Sequence, residues 1–277
     1  MISIKRTQDG GVEIGIVLPS PTLYLDYGVI GKLAGTDQGE RIRERICDNG
    51  TLYLSWAHLV ELFSLGNGPT FDRIVKYLAS FGASFIPIEA NSETVMKRER
   101  EWIEGRQNPA LDEDFLGIIA AKWQGGSTEL SIGQLLEFMA RNNDIFASMK
   151  NRHGPFKRNV KTIVDRQRHR YRSDKLAKKQ LDGANYLYEP PFVTPKVSLE
   201  LTRECIRTNE IFSESDALDF LHAIVSISYC NYVVLDKKWA RRCRAMELPR
   251  GETATVLDGT EIDRLLDILR SSSCPTI

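Results

Sequence analysis

The sequence predicts an α/β protein with a mostly parallel sheet that helices cover on both faces. Two observations support this prediction. Short apolar runs alternate with stretches of helical periodicity towards both ends of the 277-residue chain, and runs that are apolar throughout are typical of strands buried on both faces. The composition, 42% hydrophobic and 27% charged, is that of an ordinary globular protein with a substantial core.

Residues 1–19 predict a β-hairpin. Apolar and polar residues alternate on both sides of a Gln-Asp-Gly-Gly turn at 8–11, a pattern typical of two antiparallel strands joined by a glycine-assisted turn. We expect this hairpin to be an appendage to the main domain. Its apolar positions are Ile2, Ile4, Val12, Ile14 and Ile16.

Five apolar runs predict the strands of the main sheet, and helical periodicity predicts the helices that follow them. We expect the main domain to comprise residues 20–90 and 196–277. The predicted strands are 22–26, 52–54, 85–88, 232–235 and 254–257. The predicted helices are 38–48, 56–65, 71–81, 216–228, 237–246 and 261–269, with another expected directly after 22–26.

Residues 91–195 predict an all-helical insertion into that domain, because they show helical periodicity and no convincing strand. Within the insertion, segment 150–179 contains twelve Lys or Arg and two Asp, so it carries +10. The whole chain has 37 basic and 37 acidic residues, and the remainder therefore carries −10. A neutral total thus hides two oppositely charged parts, and it does not exclude a polyanionic partner.

The basic segment predicts a long amphipathic helix with an Arg-rich face. Such a face is suited to a phosphate backbone, and its interleaved aromatic and polar side chains are suited to unpaired bases. A solvated face, or a surface paired with acidic parts of this chain or of a partner subunit, is the alternative. The candidate nucleic-acid contacts are Lys157, Arg158, Lys161, Arg166, Arg168, Arg170 and Arg172.

Four carboxylates form the candidate site. Asp26 and Asp236 each end an apolar strand, and the functional crevice of an open parallel sheet lies beyond the carboxyl ends of its strands. Each is also suited to cap the helix that follows. Glu61 and Asp219 lie in otherwise apolar helices, where a carboxylate is rarely found without a partner, for which a buried Arg or Lys is the alternative.

Converging carboxylates would repel one another unless a divalent cation neutralised them. Oxygen ligands without a thiolate pair favour Mg²⁺ or Mn²⁺ over Zn²⁺. Such an ion activates water for attack on a phosphodiester.

The segments around these carboxylates resemble the PIN-domain nucleases, including their toxin-type members. They are Leu-Tyr-Leu-Asp26, Leu-Ser-Trp-Ala-His-Leu-Val-Glu61-Leu, Asp219-Phe-Leu-His-Ala and Tyr-Val-Val-Leu-Asp236-Lys-Lys-Trp. The resemblance covers about half of the chain, in the family's order and spacing. It implies a three-layer α/β/α PIN-like fold of about five strands, in which the four carboxylates are both the catalytic residues and the ligands of Mg²⁺ or Mn²⁺.

The resemblance also implies cleavage of RNA or sometimes DNA, and a toxin-like member would bind an antitoxin or form a homodimer. A DNA-directed nuclease and a catalytically inactive module that binds nucleic acid or protein are the alternatives. Tyr27 and Gly28 depart from the family, because toxin-type members usually have a small polar residue and an Asn after the first aspartate.

Asp216 and His222 are auxiliary candidates. Asp216 competes with Asp219 for the third acidic position of the site. We prefer Asp219 because it lies deeper in the helix and because its interval of 17 residues before Asp236 is close to the usual one of the family that these segments resemble. We expect Asp216 in the first turn, interacting with the helix N-terminus. His222 is suited to orient Asp219 or a phosphate, or to a hydrogen bond in the core, and His58 has the same two interpretations.

The sequence predicts a cytoplasmic protein without a membrane segment. The N-terminus lacks the apolar stretch of a secretory signal, and the longest charge-free run near the C-terminus, 220–235, is too short to cross a bilayer. Five widely spaced cysteines without a C-x-x-C pair fit a reducing compartment.

Overall fold

Eight strands form two sheets in the part of the chain that the computed structural model describes, which is residues 1–7, 11–101, 108–122, 128–184, 192–248 and 251–272. The strands are β1 (Ile2–Arg6), β2 (Val12–Ile16), β3 (Thr22–Leu25), β4 (Thr51–Leu54), β5 (Phe85–Pro87), β6 (Thr128–Leu130), β7 (Tyr232–Leu235) and β8 (Thr255–Asp258).

Thirteen helices accompany these strands in the same residues. They are α1 (Tyr27–Leu33), α2 (Asp37–Asn49), α3 (Trp56–Ser64), α4 (Pro69–Ala79), α5 (Ser92–Arg100), α6 (Glu113–Lys122), α7 (Ile132–Arg141), α8 (Asn143–Ser173), α9 (Lys175–Gly183), α10 (Thr194–Arg207), α11 (Glu214–Tyr229), α12 (Lys237–Arg244) and α13 (Ile262–Ser272).

The main sheet has five parallel strands in the order β5-β4-β3-β7-β8. This confirms the predicted α/β class and all five predicted strands, and the arrangement is compatible with a three-layer α/β/α fold. The central strands β3 and β4 are almost completely buried, because helices flank a sheet whose residues are apolar throughout. The six predicted helices with stated bounds correspond to α2, α3, α4, α11, α12 and α13, with ends that differ by a few residues.

The strand order contains a switch point between β3 and β7. The chain places β4 and then β5 on one side of β3, and much later it places β7 and β8 on the other side. Where successive strands turn away from each other in this manner, the helices that follow them diverge and leave a crevice at the carboxyl edge of the sheet. The fold therefore places a crevice beyond the ends of β3 and β7.

The second sheet has three antiparallel strands in the order β2-β1-β6. The predicted hairpin is confirmed in β1 and β2, while residues 8–10 of its turn lie outside the described residues. The expectation that 91–195 is all-helical was wrong, because β6 comes from this insertion and pairs with β1. The three residues Thr128–Leu130 are too few to show a strand pattern in the sequence. This strand forms because it hydrogen-bonds to the otherwise free edge of β1.

The insertion is connected to the main domain through α8, which packs against α10 and α11. In the middle of α8 every fourth residue lies on the packed face: Phe156 and Val160 are half-buried against the core, and Val164 is buried. This spacing is that of an amphipathic helix, as predicted for the basic segment. Among the described residues, no helix has the length and apolar character needed to cross a membrane.

Candidate active site

Asp26 and Asp236 lie side by side at the carboxyl edge of the main sheet. Asp26 follows β3 and Asp236 follows β7, which are parallel neighbours with Leu25 opposite Val234. The backbone N–H of Asp26 donates a hydrogen bond to the carbonyl of Val234 at 2.9 Å, which ties the end of one strand to the other. The two aspartates therefore flank the switch point of the sheet.

Glu61 on α3 and Asp219 on α11 lie close to this edge. Burial, together with the negative charges of Asp26, Asp236 and Glu61, raises the pKa of Asp219 to about 8. Asp219 thus shares its surroundings with all three other predicted carboxylates. The four carboxylates, from two strand ends and two helices, are therefore linked electrostatically through Asp219.

The same repulsion acts on the other two half-buried carboxylates. Burial raises the pKa of Asp26 to about 6, assisted by Asp236 and partly offset by the backbone N–H groups of Gly28 and Tyr27. Burial raises the pKa of Glu61 to about 7, assisted by Asp26. A set of carboxylates with raised pKa values in one crevice is characteristic of functional sites.

The alternative of a buried basic partner is not met in the described part of the chain, where no Lys or Arg forms an ion pair with any of the four carboxylates. Lys157 on α8 is near enough to lower the pKa of Glu61 slightly, without outweighing burial. Within the described residues, no three His, Cys, Asp or Glu side chains lie close enough together to chelate a metal ion. The four carboxylates are neighbours electrostatically, but they are not arranged as a chelate.

The side chains around the site nevertheless suit a hard cation. The donors are carboxylate oxygens, which Mg²⁺ and Mn²⁺ prefer. The hydroxyl of Tyr24, a fully buried residue, has no hydrogen-bond partner among the described residues. The charges of Asp26, Asp219 and Glu61 raise the pKa of this phenol beyond the effect of burial, which places Tyr24 beside the acidic crevice. A polar ligand or its water would satisfy this hydroxyl.

Asp26 and Asp236 differ in their second role. Asp236 caps α12, with its Oδ1 accepting a hydrogen bond from the N–H of Trp239 at 2.7 Å. Asp26 occupies the equivalent position before α1 without a well-formed capping hydrogen bond, and the backbone N–H groups of Tyr27 and Gly28 only partly offset the effect of its burial. The capping interpretation therefore fits Asp236, whose other oxygen remains for the site, and it does not explain Asp26.

A layer of buried polar side chains links the helices that carry Glu61 and Asp219. Burial lowers the pKa of His58 to about 4, so the ring is neutral at pH 7. Ser55 N–H donates to its Nδ1 at 3.1 Å, and its Nε2 donates to the carbonyl of Leu25 at 3.0 Å. The Ser55 hydroxyl bridges Nδ1 of His58 at 2.9 Å and Nε2 of His222 at 3.1 Å. The two imidazoles are parallel, with centroids 5.6 Å apart, and Tyr24 packs against both.

This layer favours the core interpretation of both histidines, because each is buried and hydrogen-bonded to Ser55. His58 lies one helical turn before Glu61, and His222 one turn after Asp219, so the layer fixes the helices that carry these carboxylates. Sequence reasoning missed Ser55 and Tyr24. The available signals were the position of Ser55 directly after β4 and of Tyr24 two residues before Asp26, on the same face of β3.

Asp216 lies in the first turn of α11, as expected, and is paired with a cation. It forms a capping box with Ser213 and an ion pair with Lys238 of α12. Burial would raise the pKa of Asp216, but the hydrogen bonds from Lys238 and Ser213 outweigh burial and lower it. The preference for Asp219 as the unpaired carboxylate of α11 agrees with this geometry.

The predicted nucleic-acid contacts of α8 lie in different environments. Arg158, Arg166 and Arg170 are exposed, and Lys157 is half-buried on the side of the helix near Glu61. Arg168 departs from the prediction: it is 7% exposed, because it continues the packed stripe four residues after Val164. Two others have partners within the chain, Lys161 with Asp165 and Arg172 with the carbonyl of Thr208 and the side chain of Asn209.

Comparisons of the chain with protein-family models, curated proteins and solved structures give no match. The geometry and chemistry of this crevice are therefore the basis on which a function is assigned.

Proposed function

We propose that the protein is a metal-dependent nuclease of PIN type that hydrolyses phosphodiester bonds in RNA. The observation that carries the proposal is a group of three half-buried carboxylates beyond the ends of two adjacent parallel strands, whose pKa values burial and mutual repulsion raise to about 6, 7 and 8. Holding these groups together destabilises the protein unless a cation or protons neutralise them, so the arrangement requires a functional explanation.

Asp26, Glu61, Asp219 and Asp236 would hold Mg²⁺ or Mn²⁺, directly or through water. A bound ion of this kind activates water for attack on phosphorus and offsets the charge that develops on the leaving oxygen. The chain itself positions the carboxylates: the β3–β7 pairing fixes the two aspartates at the strand ends, and the Ser55 layer fixes α3 and α11.

The exposed face of α8 supports a polyanionic substrate. Arg158, Arg166 and Arg170 present a row of cations on a helix that packs against α11, which carries Asp219. Guanidinium groups bind phosphates bidentately and stack on unpaired bases. We propose single-stranded RNA as the substrate, and DNA is the alternative that the assay must separate.

The test is cleavage of single-stranded RNA by the purified protein with Mn²⁺. Asp26→Asn and Asp219→Asn should each lower the cleavage rate by about 100-fold or more, because each removes a charge from the metal site. Asp48→Asn, the same change at an exposed position of α2, is the matched control and should cleave at the parental rate.

Cleavage that persists in both site variants would contradict the proposed site. A second, activity-independent measurement is the melting temperature, which Mn²⁺ should raise in the parent protein and raise less in Asp219→Asn. A parallel single-stranded DNA substrate separates the two substrate classes.

A nucleic-acid-binding module without catalysis is the second candidate. It is favoured by the capping role of Asp236. RNA binding without heat of Mn²⁺ binding in titration calorimetry would support this module over the nuclease.

A further inference from the structure

Two buried arginines, one on α8 and one on α12, lie in a single cluster of side chains. Arg168 of α8 is 7% exposed and Arg242 of α12 is 4% exposed. The guanidinium of Arg168 lies 5.7 Å from the ring centre of Phe212, and that of Arg242 lies 4.8 Å from Trp239. Phe212 and Trp239 are themselves in edge-to-face contact at 6.4 Å, so the four side chains form one cluster.

The cluster contains four buried N–H donors without an acceptor among the described residues: Nη2 of Arg168, Nε and Nη1 of Arg242, and Nε1 of Trp239. The hydrogen bonds that the guanidiniums do make are few. Arg168 Nε donates to the carbonyl of Cys205 at 2.7 Å, and Arg242 Nη2 donates to Oε2 of Glu210 at 2.7 Å. Because every unsatisfied group is a donor, the cluster requires an acceptor.

The charges around the cluster are predominantly positive. Arg172 and Arg241 add two further cations, and the side chain of Glu210 is shared between Arg241 and Arg242. Of the other carboxylates nearby, Asp165 is paired with Lys161 and Asp216 with Lys238, and Glu204 lies near Cys205. Burial lowers the pKa of Arg168, and the charges of Arg242 and Arg172 act in the same direction, partly offset by Cys205 and Asp165.

We propose that Arg168 and Arg242 form a binding site for a phosphate group, separate from the carboxylate crevice. Planar guanidiniums match the geometry of phosphate oxygens and lose less hydration than an ammonium group. Glu210, whose side chain is 40% exposed, occupies part of this site as an internal anion. An incoming phosphate replaces the Glu210 carboxylate on Arg242 and accepts the unsatisfied N–H groups. The phosphate is either free inorganic phosphate or the terminal phosphate of a nucleotide.

The experiment measures the melting temperature of the full chain without divalent metal, as inorganic phosphate is titrated against NaCl at matched ionic strength. The parent protein should show a saturable increase with phosphate that NaCl does not reproduce. Arg242→Met should weaken the apparent phosphate affinity about tenfold or more, because it removes a charge-assisted bidentate partner. Arg141→Met removes an exposed arginine paired with Glu137 and should leave the response unchanged.

Glu210→Gln keeps the proposal testable if Arg242→Met fails to fold. It removes the internal competitor at a partly exposed position, so the apparent phosphate affinity should increase severalfold. A response to phosphate no larger than to NaCl in the parent and in Glu210→Gln, or an unchanged affinity in a folded Arg242→Met, would overturn the site.

A dinucleotide with and without a 5′-phosphate then identifies the source of the phosphate group. A stronger response to the phosphorylated form assigns a nucleotide end, and equal weak responses assign free phosphate. Neither result depends on nuclease activity.

Discussion

Asp26 and Asp236 show how two identical side chains at equivalent strand ends acquire different chemistry. Asp236 uses one oxygen to cap α12, a contact that stabilises a carboxylate, whereas the half-buried Asp26 has its charge opposed by burial and by its neighbour. Burial thus disfavours the ionised form of Asp26 relative to its protonated form, and its pKa is raised to about 6. A bound cation would act most strongly on this residue and on Asp219.

Asp112 allows the effect of burial on a carboxylate to be measured away from the crevice. It is 3% exposed, its Oδ1 accepts the N–H of Phe115 at 2.9 Å, and burial together with Glu89 raises its pKa to about 7. Because the folded-state pKa exceeds the unfolded value, the unfolded chain loses this proton first as pH rises. The contribution of Asp112 to stability is thus fully present below about pH 4 and is lost as pH rises to 7.

Asp112→Asn should remove this loss while keeping the acceptor for Phe115. We expect the variant to gain stability relative to the parent protein by about 1 to 3 kcal/mol between pH 4 and pH 7, measured as the free energy of urea unfolding at both values. Asp72→Asn, an exposed first-turn position, should show no such difference. A difference that does not change with pH would contradict the raised pKa.

At the scale of single residues, the sequence indicated the carboxylates of the candidate site but not the side chains that pack and hydrogen-bond beside them. Asp26, Glu61, Asp219 and Asp236 were identifiable because charge in an apolar segment is a local signal. The Ser55 hydroxyl and the Tyr24 phenol were not, because their roles come from contacts between elements distant in sequence.

Among the elements, α8 combines a packed stripe with a basic outer face. Val164 and Arg168 lie on the stripe, while Arg158, Arg166 and Arg170 lie outside it. Periodicity predicted the helix, but an arginine at a stripe position is indistinguishable from its exposed neighbours in the sequence. The carbonyl of Cys205 and the ring of Phe212, which hold Arg168 in place, belong to other segments.

The exposed arginines of α8 should determine how RNA binding depends on salt. Replacing Arg158, Arg166 and Arg170 together by Gln removes three phosphate contacts and should reduce the slope of log K against log salt by about 2. Fluorescence anisotropy with a short RNA, titrated at salt concentrations from about 50 to about 300 mM, measures this slope.

The matched control replaces three exposed arginines elsewhere, Arg41, Arg141 and Arg270, by Gln and should leave the slope unchanged. Equal losses in the two triple variants would show that net charge, and not the face of α8, attracts the RNA.

For the whole molecule, the N-terminal hairpin and the insertion are parts of one hydrophobic core. Ile2 and Ile4 are buried in the same cluster as Leu130 of β6 and the residues of the main sheet. The hairpin is therefore more than the appendage that the sequence suggested. Alternation predicted which of its residues face inward, but the surface that covers them is supplied by the insertion and could not be read from the hairpin alone.

Ile4→Ala should therefore destabilise the entire chain. Ile4 is 1% exposed, and truncation of a buried isoleucine costs about 2 to 5 kcal/mol. Urea unfolding followed by tryptophan fluorescence and by circular dichroism should show one shifted transition in both signals. Val17→Ala, at a position 60% exposed, is the control with little expected effect. Separate early loss of the hairpin with an unchanged main transition would contradict a shared core.

The pairing of β3 with β7 has a consequence for the timing of synthesis. Thr22 and Asn231, which are hydrogen-bonded at the beginnings of these strands, are 209 residues apart in the chain. At roughly 5 to 20 residues per second, about 10 to 40 s pass between translation of the two. During that interval the nascent chain carries Asp26 and Glu61 without Asp219 and Asp236, so half of the carboxylates are missing. The crevice can therefore form only after both halves of the sheet have been synthesised, and the hydrolytic activity proposed for it would be silent until then.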